Sequence, residues 1–446
     1  MSLSSIPLVP LSSHAVLIFV LEIGVLLGVA LLLGLLAKRL GLPPVVGELC
    51  AGILLGPSVL AHVAPDLSAW LLPASASQIH LVDAVGEIGV VLLVGLTGMS
   101  LDLGLLRRNA GRATAVGAGA LLVPLGCGVA VGLALPRTLI GGGSDRATFV
   151  AFVAVAMCVS AIPVIAKTLM EMHLLHRNVG QLILCAATID DVVGWLLLSV
   201  VAAMAVTGVR THQVLVSVAW LIALIVICLT VARPVVGLTA RLAARSKDPG
   251  PTIAVVVLVV LGFAAASQAM GMEAIVGALF GGMVLASSKW IDPARLAPLR
   301  TVVVAVLAPI FFATAGLRMN LSLLGRPAVL GAALLVLAVA MASKFAGAYV
   351  SARSVRVDHW TAVAVGAGLN ARGVMEVILA TVGLQLGVLT TAMYTIIVLV
   401  AIITSVIAPP VLRFAVRRAP EESEEEQVRE LVLAGKGTAT ADHGAY

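Results

Sequence analysis

Two neighbouring aspartates, Asp190 and Asp191, lie near the middle of an apolar run over residues 179–206. The run is long enough to cross a bilayer, because a spanning helix needs roughly 20 mostly apolar residues. A charge at bilayer depth is costly, so acids there face a watery cavity, a cation or a positive partner. The pair therefore indicates an ion or proton site. A buried ion pair that holds helices together is the alternative, but a single lysine would neutralise only one carboxylate.

The apolar run is one of many in the chain. Of the 446 residues, 61% are hydrophobic and 11% are charged, which is more apolar sequence than a soluble core can use. Apolar stretches bounded by charges, Pro or Gly predict thirteen transmembrane spans. They run over residues 15–37, 44–62, 81–101, 113–135, 147–171, 179–207, 214–233, 252–270, 272–288, 301–319, 328–350, 359–383 and 390–412. The sequence thus predicts an all-α polytopic membrane protein.

The basic residues of the short loops indicate how the spans are oriented. Loops after odd-numbered spans carry 19 Lys and Arg residues, and the opposite loops carry 5. Because Lys and Arg concentrate in cytoplasmic loops, we predict a plasma-membrane protein with its N-terminus outside and its C-terminus in the cytoplasm. The net charge of +6 then reflects topology and indicates no nucleic-acid partner. Residues 1–10 lack a basic region followed by a cleavage site, so we expect no removable signal peptide.

Two sequence segments occur twice. Residues 45–55 (VVGELCAGILL) match residues 275–285 (IVGALFGGMVL) at an offset of 230, and residues 98–103 (GMSLDL) match residues 316–321 (GLRMNL) at an offset of 218. Each match joins spans that are seven apart. Since seven is odd, the two halves must lie in the membrane with opposite orientations. Such inverted repeats, with the substrate near the midplane, are typical of secondary transporters.

The repeat divides the chain into five predicted parts. They are an extracellular N-terminus (1–14), a first six-helix repeat (15–207), a linker helix and loop (208–251), a second, inverted six-helix repeat (252–412) and a cytoplasmic acidic tail (413–446). We expect this tail to be too short for a regulatory nucleotide-binding domain.

Two spans in corresponding positions of the halves carry helix-breaking sequences. Span 5 contains Ser160-Ala161-Ile162-Pro163, and span 12 contains residues 366–373 (GAGLNARG). Proline removes a backbone donor and clustered glycines loosen a helix, so we predict that both spans are broken near mid-bilayer. Paired breaks free backbone carbonyls and are the best sequence pointer to a transport site. Kinks needed only for packing are the alternative.

Few other charges lie inside the spans. Lys344 is deep in span 11, too far from its ends to reach an interface. Arg372 and Glu376 are one helical turn apart on span 12 and can neutralise each other. An ion pair that stiffens the broken helix explains these two as well as direct ion contact does. Glu48 and Glu87 could line a funnel.

Five pieces of this sequence, taken together, resemble one transporter family. They are SAIPVIAKTLME (160–171), ATIDDVVG (187–194), PIFFATAG (309–316), NARGVME (370–376) and Lys344. The combination is similar to the monovalent cation:proton antiporter-2 family over about residues 15–415, and the Asp-Asp pair with the lysine is similar to its electrogenic sodium/proton branch. The resemblance implies the sodium/proton antiporter fold and a homodimer, each subunit having a dimerisation domain and a mobile core domain with two crossed, broken helices.

The resemblance also implies roles for individual residues. Asp191 would be the main cation and proton carboxylate, Asp190 would pair with Lys344, and Ser160 would help to coordinate the ion. The predicted supporting residues are Asn370, Arg372, Glu376, Ile162 and Pro163. The transported ions would be Na⁺, bound by Asp191 and Asp190, and H⁺, with no cofactor.

These roles predict electrogenic exchange of Na⁺ or Li⁺ for protons by alternating access. A carboxylate that holds either a proton or a cation couples the two fluxes, because occupancy by one excludes the other. Where the sodium branch often has a second hydroxyl after Ser160, this chain has Ala161, followed by Pro163. That pattern is closer to the plant cation/proton exchangers. A K⁺/H⁺ antiporter of the same family therefore stays open as the closest alternative.

Three other classes fit the sequence less well. A sodium-coupled organic-solute symporter needs a second polar patch, for which the chain offers mainly Thr97, Asn109, Gln268 and Asn370. A cation channel would explain neither the lysine nor the inverted halves. An intramembrane aspartyl protease needs aspartates that converge from separate helices, whereas adjacent helical residues point about 100° apart. We therefore predict a transporter and not an enzyme.

Overall fold

The structure is a computed structural model that describes residues 12–72, 76–100, 110–172, 174, 177–207, 226–246, 248–270 and 272–419. Within these ranges the chain is almost entirely helical and contains no β-strand, apart from an isolated bridge between Ile140 and Leu389. Ten segments of the described chain are long and apolar enough to cross a membrane. The protein is therefore an all-α polytopic membrane protein, as predicted.

Fifteen helices carry the labels used below. They are α1 Ser13–Arg39, α2 Pro44–Leu55, α3 Ala76–Ser100, α4 Ala110–Ala134, α5 Arg146–Cys158, α6 Ile162–Glu171, α7 Asn178–Thr207, α8 Arg233–Ala243, α9 Gly250–Ala269, α10 Ala274–Ala286, α11 Ala308–Leu317, α12 Pro327–Ser354, α13 His359–Leu369, α14 Val374–Gln385 and α15 Thr391–Val416. Shorter helical pieces are Leu60–Val63, Pro65–Leu71, Arg137–Leu139, Pro293–Leu296, Ala297–Val302 and Leu321–Gly325, with π-helical turns at Cys228–Ala232 and Val303–Leu307.

The helices correspond to twelve of the thirteen predicted spans. Ten are the long segments, and two are the shorter apolar helices α5 and α10. The remaining span, predicted at 214–233, lies mainly outside the described residues, as does the acidic tail from residue 420 onwards. The second span, predicted at 44–62, corresponds to the segment Pro44–Val63, in which α2 ends at Leu55 and the short helix Leu60–Val63 follows after Gly56 and Pro57.

The packing of six helices follows the predicted inverted repeat. Helix α2 packs against α11, and α3 packs against α10. The sequence repeat relates α2 to α10 and α3 to α11. The contact between α2 and α11 is therefore equivalent to the contact between α10 and α3. The pair α1 and α2 likewise corresponds to the pair α9 and α10. We call α1–α3 and α9–α11 the first helix group.

Glycines at repeat-related positions allow these equivalent contacts. Gly52 of α2 faces Gly316 of α11, and Gly98 of α3 faces Gly282 of α10. A Cβ atom on Gly52 would lie 2.6 Å from the Cα of Gly316, and one on Gly98 would lie 3.3 Å from the Cα of Gly282. Small residues let helix backbones approach closely inside a membrane. The repeated glycines of the sequence are therefore packing positions.

The second helix group consists of α4–α7 and α12–α15 and contains both interrupted spans. Helices α4 and α12 pack against each other, α4 also packs on α5, and α12 on α13. The first interruption separates α5 from α6 at residues 159–161, and the second separates α13 from α14 at residues 370–373. The prediction that spans 5 and 12 are broken is thus confirmed. Pro163 is the second residue of α6, where its fixed φ fits a helix start.

Candidate ion-binding site

The two interruptions touch each other in the second helix group. The backbone N–H of Ala161, between α5 and α6, donates to the carbonyl of Ala371, between α13 and α14, at 3.1 Å. The hydroxyl of Ser160 lies 2.9 Å from the carbonyl oxygen of Leu369, the last residue of α13. The broken spans therefore cross at their unwound segments, where helix ends and free backbone groups meet.

Two basic side chains bind the carbonyl end of α5. Arg372 donates from Nη1 to the carbonyl of Ala156 at 2.7 Å and from Nη2 to the carbonyl of Met157 at 2.5 Å. Lys344 donates from Nζ to the carbonyl of Cys158, also at 2.5 Å. The C-terminal end of a helix carries partial negative charge from its unpaired carbonyls, so cations stabilise it. The interruption of span 5 thus depends on side chains from α12 and from the second interruption.

Asp190 is bound from two sides. Its Oδ2 atom lies 2.6 Å from Nζ of Lys344 and 3.0 Å from Oγ of Ser160. The side chains of Asp190 and Lys344 are both completely buried. The lysine therefore joins the carboxylate on α7 to the end of α5.

Asp191 has a different environment although it is the next residue. It is 3% exposed, and within the described chain its Oδ1 atom has no hydrogen-bond partner. Oδ1 of Asp190 is also buried and without a partner there. Buried carboxylate oxygens without donors are costly in an apolar interior unless a cation or proton joins them. The donor set, which consists of hard oxygens, suits a monovalent metal ion or a proton.

The predicted supporting residues lie in the unwound segment and the turn that follows it. Nη1 of Arg372 lies 3.3 Å from Oε1 of Glu376, so the expected ion pair is formed, while Oε2 of Glu376 has no partner in the described chain. The amide Nδ2 of Asn370 donates to the carbonyl of Met341 at 3.3 Å. Ile162 is the first residue of α6. Arg372 and Glu376 therefore sit at the crossing mainly as binding partners of backbone and of each other.

Several groups at the crossing could not be found from the sequence. The hydroxyl of Ser405 on α15 donates to the carbonyl of Arg372, and the thiol of Cys158 donates to the carbonyl of Val155 at 3.2 Å. The carbonyl acceptors are backbone atoms, which every residue has. These carbonyls become available as acceptors only because the helices are interrupted, and no pattern of residue types in the sequence shows which carbonyls they are.

A cavity of about 530 Å³ lies between α14 of the second helix group and α3, α9 and α10 of the first. Its polar lining consists of Glu87, Gln268, Glu273, Thr381 and Gln385. Oε1 of Glu87 accepts a hydrogen bond from Nε2 of Gln385 at 3.2 Å. The proposed funnel residue Glu87 thus faces a cavity between the two helix groups.

Glu48, the other suggested funnel residue, is located differently. It is 8% exposed, and its side chain lies near Gly34 of α1. Helices α1 and α2 pack together over this position. Glu48 is therefore a buried group of the first helix group and not a lining residue of the cavity described above.

An inverted helical repeat with two broken helices that cross beside buried acids defines a secondary transporter. Comparison with known proteins identifies the family of transporters within this class. Residues 27–418 match the family described as sodium/hydrogen exchanger, transmembrane. The chain belongs to this family of transporters, which confirms the predicted resemblance and the prediction that the protein is a transporter and not an enzyme.

Curated relatives and a solved structure extend the comparison. The chain is 30% identical to the Na⁺/H⁺ antiporter NhaS4 of Synechocystis sp., over 90% of this chain and 98% of that protein. It is 28% identical to cation/H⁺ antiporter 17 of Arabidopsis thaliana and 25% identical to K⁺/H⁺ antiporter 1 of Saccharomyces cerevisiae, in each case over 90% of this chain. The chain spans about half the length of these two relatives, 48% and 46%.

The solved structure supports the fold. The sodium proton antiporter MjNhaP1 of Methanocaldococcus jannaschii has a TM-score of 0.67 against this chain, at 16% identity, and the match covers 91% of this chain and 100% of that one. The sodium/proton antiporter fold expected from the sequence is thus confirmed.

Proposed function

We propose that this protein exchanges Na⁺ for protons across the membrane, electrogenically and by alternating access, with both ions competing for Asp191 and Asp190. The observation that carries the proposal is the difference between the two carboxylates. Asp190 is bound by Lys344 and Ser160, whereas Asp191 keeps a buried oxygen atom without a partner in the described chain. One acid is thus held in place by protein, and its neighbour is free for a substrate ion.

The charges at the crossing explain why only exchange cycles would be completed. When all are ionised, three acids (Asp190, Asp191 and Glu376) and two bases (Lys344 and Arg372) leave one net negative charge. One proton neutralises it while Lys344 stays charged. A Na⁺ that displaces the lysine proton leaves one net negative charge but supplies a partner for the carboxylate oxygens that have none in the described chain. An uncompensated buried charge is costly to carry across the low-dielectric barrier, and a neutral site is not. The site without either ion has both an uncompensated charge and carboxylate oxygens without a partner, so it changes its accessible side of the membrane only after it has bound one of the two ions.

Lys344 provides the second proton of an electrogenic cycle. Its ammonium pairs with Asp190 when the site has no metal ion, and it releases its proton when a cation arrives and competes for the carboxylates. Two protons then move in one direction for each Na⁺ that moves in the other. The cycle transfers one net charge and responds to membrane voltage.

Na⁺ is the proposed physiological ion. The similarity to a relative named as a Na⁺/H⁺ antiporter over nearly its full length supports this choice. K⁺ is the competing ion, because one relative is named as a K⁺/H⁺ antiporter. An experiment that compares Na⁺ with K⁺ under the same imposed pH gradient distinguishes the two ions.

The experiment uses proteoliposomes with an imposed pH gradient and a pH-sensitive dye inside. Added Na⁺ or Li⁺ should dissipate the gradient at low millimolar concentrations or below, and K⁺ should require much more. Because two protons compete with one cation in this cycle, each unit of acidification should raise the apparent KM for Na⁺ about tenfold where one of the two groups titrates and by up to about a hundredfold where both do, with an unchanged maximal rate. An equal response to K⁺, or a KM that does not depend on pH, would contradict the proposal.

The predicted placement in the cell belongs to the same proposal. Residues 15–207 and 252–412 would form the two repeats, joined by residues 208–251, in a plasma-membrane homodimer. The N-terminal residues 1–14 would lie outside, and residues 413–446 would lie in the cytoplasm, as the basic loops indicate. Single cysteines introduced near each terminus of a Cys-free variant, labelled from one side of intact cells, test the orientation. Light scattering of the purified protein tests the dimer.

A further inference from the structure

We propose that the backbone carbonyl oxygen of Leu369, at the end of α13, is a ligand of the transported cation. The inference rests on the proposed function of Asp190 and Asp191 and adds one specific ligand to it. Three observations at the helix crossing carry it: a shared proton, an asymmetry between the two broken helices, and a set of oxygen atoms without donors.

The shared proton belongs to Ser160. Its Oγ atom lies 3.0 Å from Oδ2 of Asp190 and 2.9 Å from the carbonyl oxygen of Leu369, and both of these atoms are acceptors. A serine hydroxyl has a single proton to donate. When Ser160 donates to Asp190, the Leu369 carbonyl loses this donor. The Ser160 hydroxyl thus lies between the Leu369 carbonyl and the carboxylate of Asp190, which binds Lys344.

The asymmetry concerns the two helix ends that meet at the crossing. At the end of α5, the carbonyls of Ala156, Met157 and Cys158 are bound by the two buried cations, Arg372 and Lys344. The last turn of α13 receives backbone N–H groups of residues 370 and 371 and the Ser160 hydroxyl. Both basic side chains thus compensate the negative end of α5.

The end of α13 carries the same kind of partial negative charge. Among the described residues, the hydrogen bonds of Lys344 and Arg372 go to α5, α7, Ala340 and Glu376, and not to Leu369. A mobile cation is the charge that this helix end is suited to bind. Broken helices of transporters use their C-terminal carbonyls in this way.

The two aspartates and Ser160 supply the remaining oxygen atoms of the proposed ligand set. Oδ1 of Asp190 and Oδ1 of Asp191 are buried and have no partner in the described chain. The Ser160 oxygen keeps lone pairs while its proton points to Asp190. Hard cations bind several such oxygens at once. A cation held in this way would connect α7 to both interruptions, and its occupancy would then stabilise the crossing itself.

The sequence offers a way to observe this single carbonyl. The chain has four asparagines, and only Asn370 follows a leucine. Cell-free synthesis with [1-¹³C]Leu and [¹⁵N]Asn therefore labels one carbonyl–nitrogen pair, Leu369–Asn370, which solid-state NMR in liposomes selects. The matched control is Met319–Asn320, the only Met–Asn pair, whose carbonyl accepts a hydrogen bond from Ser58 at 2.9 Å.

We expect Li⁺ and Na⁺ to shift the Leu369 carbonyl resonance saturably, with a midpoint near the KM of exchange at the same pH. In the Li⁺-loaded sample, ¹³C–⁷Li dipolar dephasing should be strong for Leu369 and absent for Met319. The Asp191→Asn variant should lose both effects. A shift without dephasing would overturn the inference, because the cation would then act on Leu369 only at a distance.

The same preparation separates the inference from the proposed function. If the liposomes exchange Na⁺ for protons but the Leu369 signal does not respond, the carbonyl is not a ligand and the function is unaffected. If they exchange no monovalent cation for protons, the proposed function itself fails, and the inference falls with it.

Discussion

Lys344 and Asp190 form a fully buried salt bridge, with 2.6 Å between Nζ and Oδ2, and the same ammonium binds the carbonyl of Cys158 at 2.5 Å. One positive charge on α12 therefore serves both the acid on α7 and the broken end of α5. A change in the charge of Asp190 or Lys344 must alter how the helix end is stabilised. Ion occupancy and the geometry of the crossing are coupled through this contact.

The salt bridge predicts the behaviour of Lys344→Met, which keeps most of the side-chain volume and removes the charge. Removing one partner of a buried ion pair costs about 3–5 kcal/mol, because the other charge stays buried. We expect a lower unfolding temperature in detergent, and a current per transported Na⁺ that falls more than the affinity for Na⁺ does.

The double variant Lys344→Met with Asp190→Asn is the control for this prediction. It removes both charges, so it should recover part of the lost stability without recovering electrogenic transport. If the double variant lost the sum of the two single effects, the two side chains would not be coupled. An unchanged current per ion in Lys344→Met would make the lysine purely structural.

Asp191→Asn should abolish exchange with little loss of stability. The substitution keeps the size of the side chain and removes the charge from an oxygen that has no partner in the described chain. We expect dissipation of the pH gradient to fall to the level of empty liposomes, with an unfolding temperature close to that of the parent protein. Asp83→Asn is the matched control, since Asp83 forms a partly exposed salt bridge of 2.6 Å with Arg318. Such pairs contribute about 0–1 kcal/mol, and exchange should persist in that variant.

The features that the sequence predicted well are those encoded locally. Long apolar runs identify the spans, and Pro163 with the glycines before Asn370 identifies the interruptions, because each acts on its own stretch of backbone. The spacing of Arg372 and Glu376 predicted their ion pair, which is 3.3 Å long. The pair forms although Arg372 lies in the unwound segment before α14, because Glu376 is in the first turn of that helix, only four residues away.

What the sequence did not predict depends on contacts between distant segments. Arg372 also binds the carbonyls of Ala156 and Met157, more than 200 positions earlier in the chain. Sequence spacing suggested a role for its charge and gave no sign of these acceptors. The hydroxyl of Ser405 binds the backbone of Arg372 from α15 in the same unpredictable way. Both contacts exist only because two broken helices cross.

These contacts predict that Arg372→Lys is not a conservative change. The guanidinium binds two carbonyls through separate nitrogens and also reaches Glu376, whereas an ammonium is a single point charge that cannot reproduce the planar fork. Each buried acceptor left without a donor costs about 1–3 kcal/mol, so a loss of roughly 2–4 kcal/mol is expected. Thermal unfolding and exchange should both be impaired. Arg318→Lys, in the partly exposed pair with Asp83, should change neither by much.

The equivalent glycine contacts predict that matching substitutions in the two halves have matching effects. In Gly52→Ala the new Cβ would overlap the backbone carbonyl oxygen of Ala313, and in Gly282→Ala it would overlap that of Gly95. Helix backbones must move apart to accept either methyl group, and overpacking of this kind costs about 1–3 kcal/mol. Both variants should unfold at lower temperature, whereas Gly24→Ala on α1, with nothing within 4 Å, should be neutral or slightly stabilising. If only one of the two matched variants were destabilised, the contacts would not be equivalent, and the repeat would be a similarity of sequence without a shared packing role.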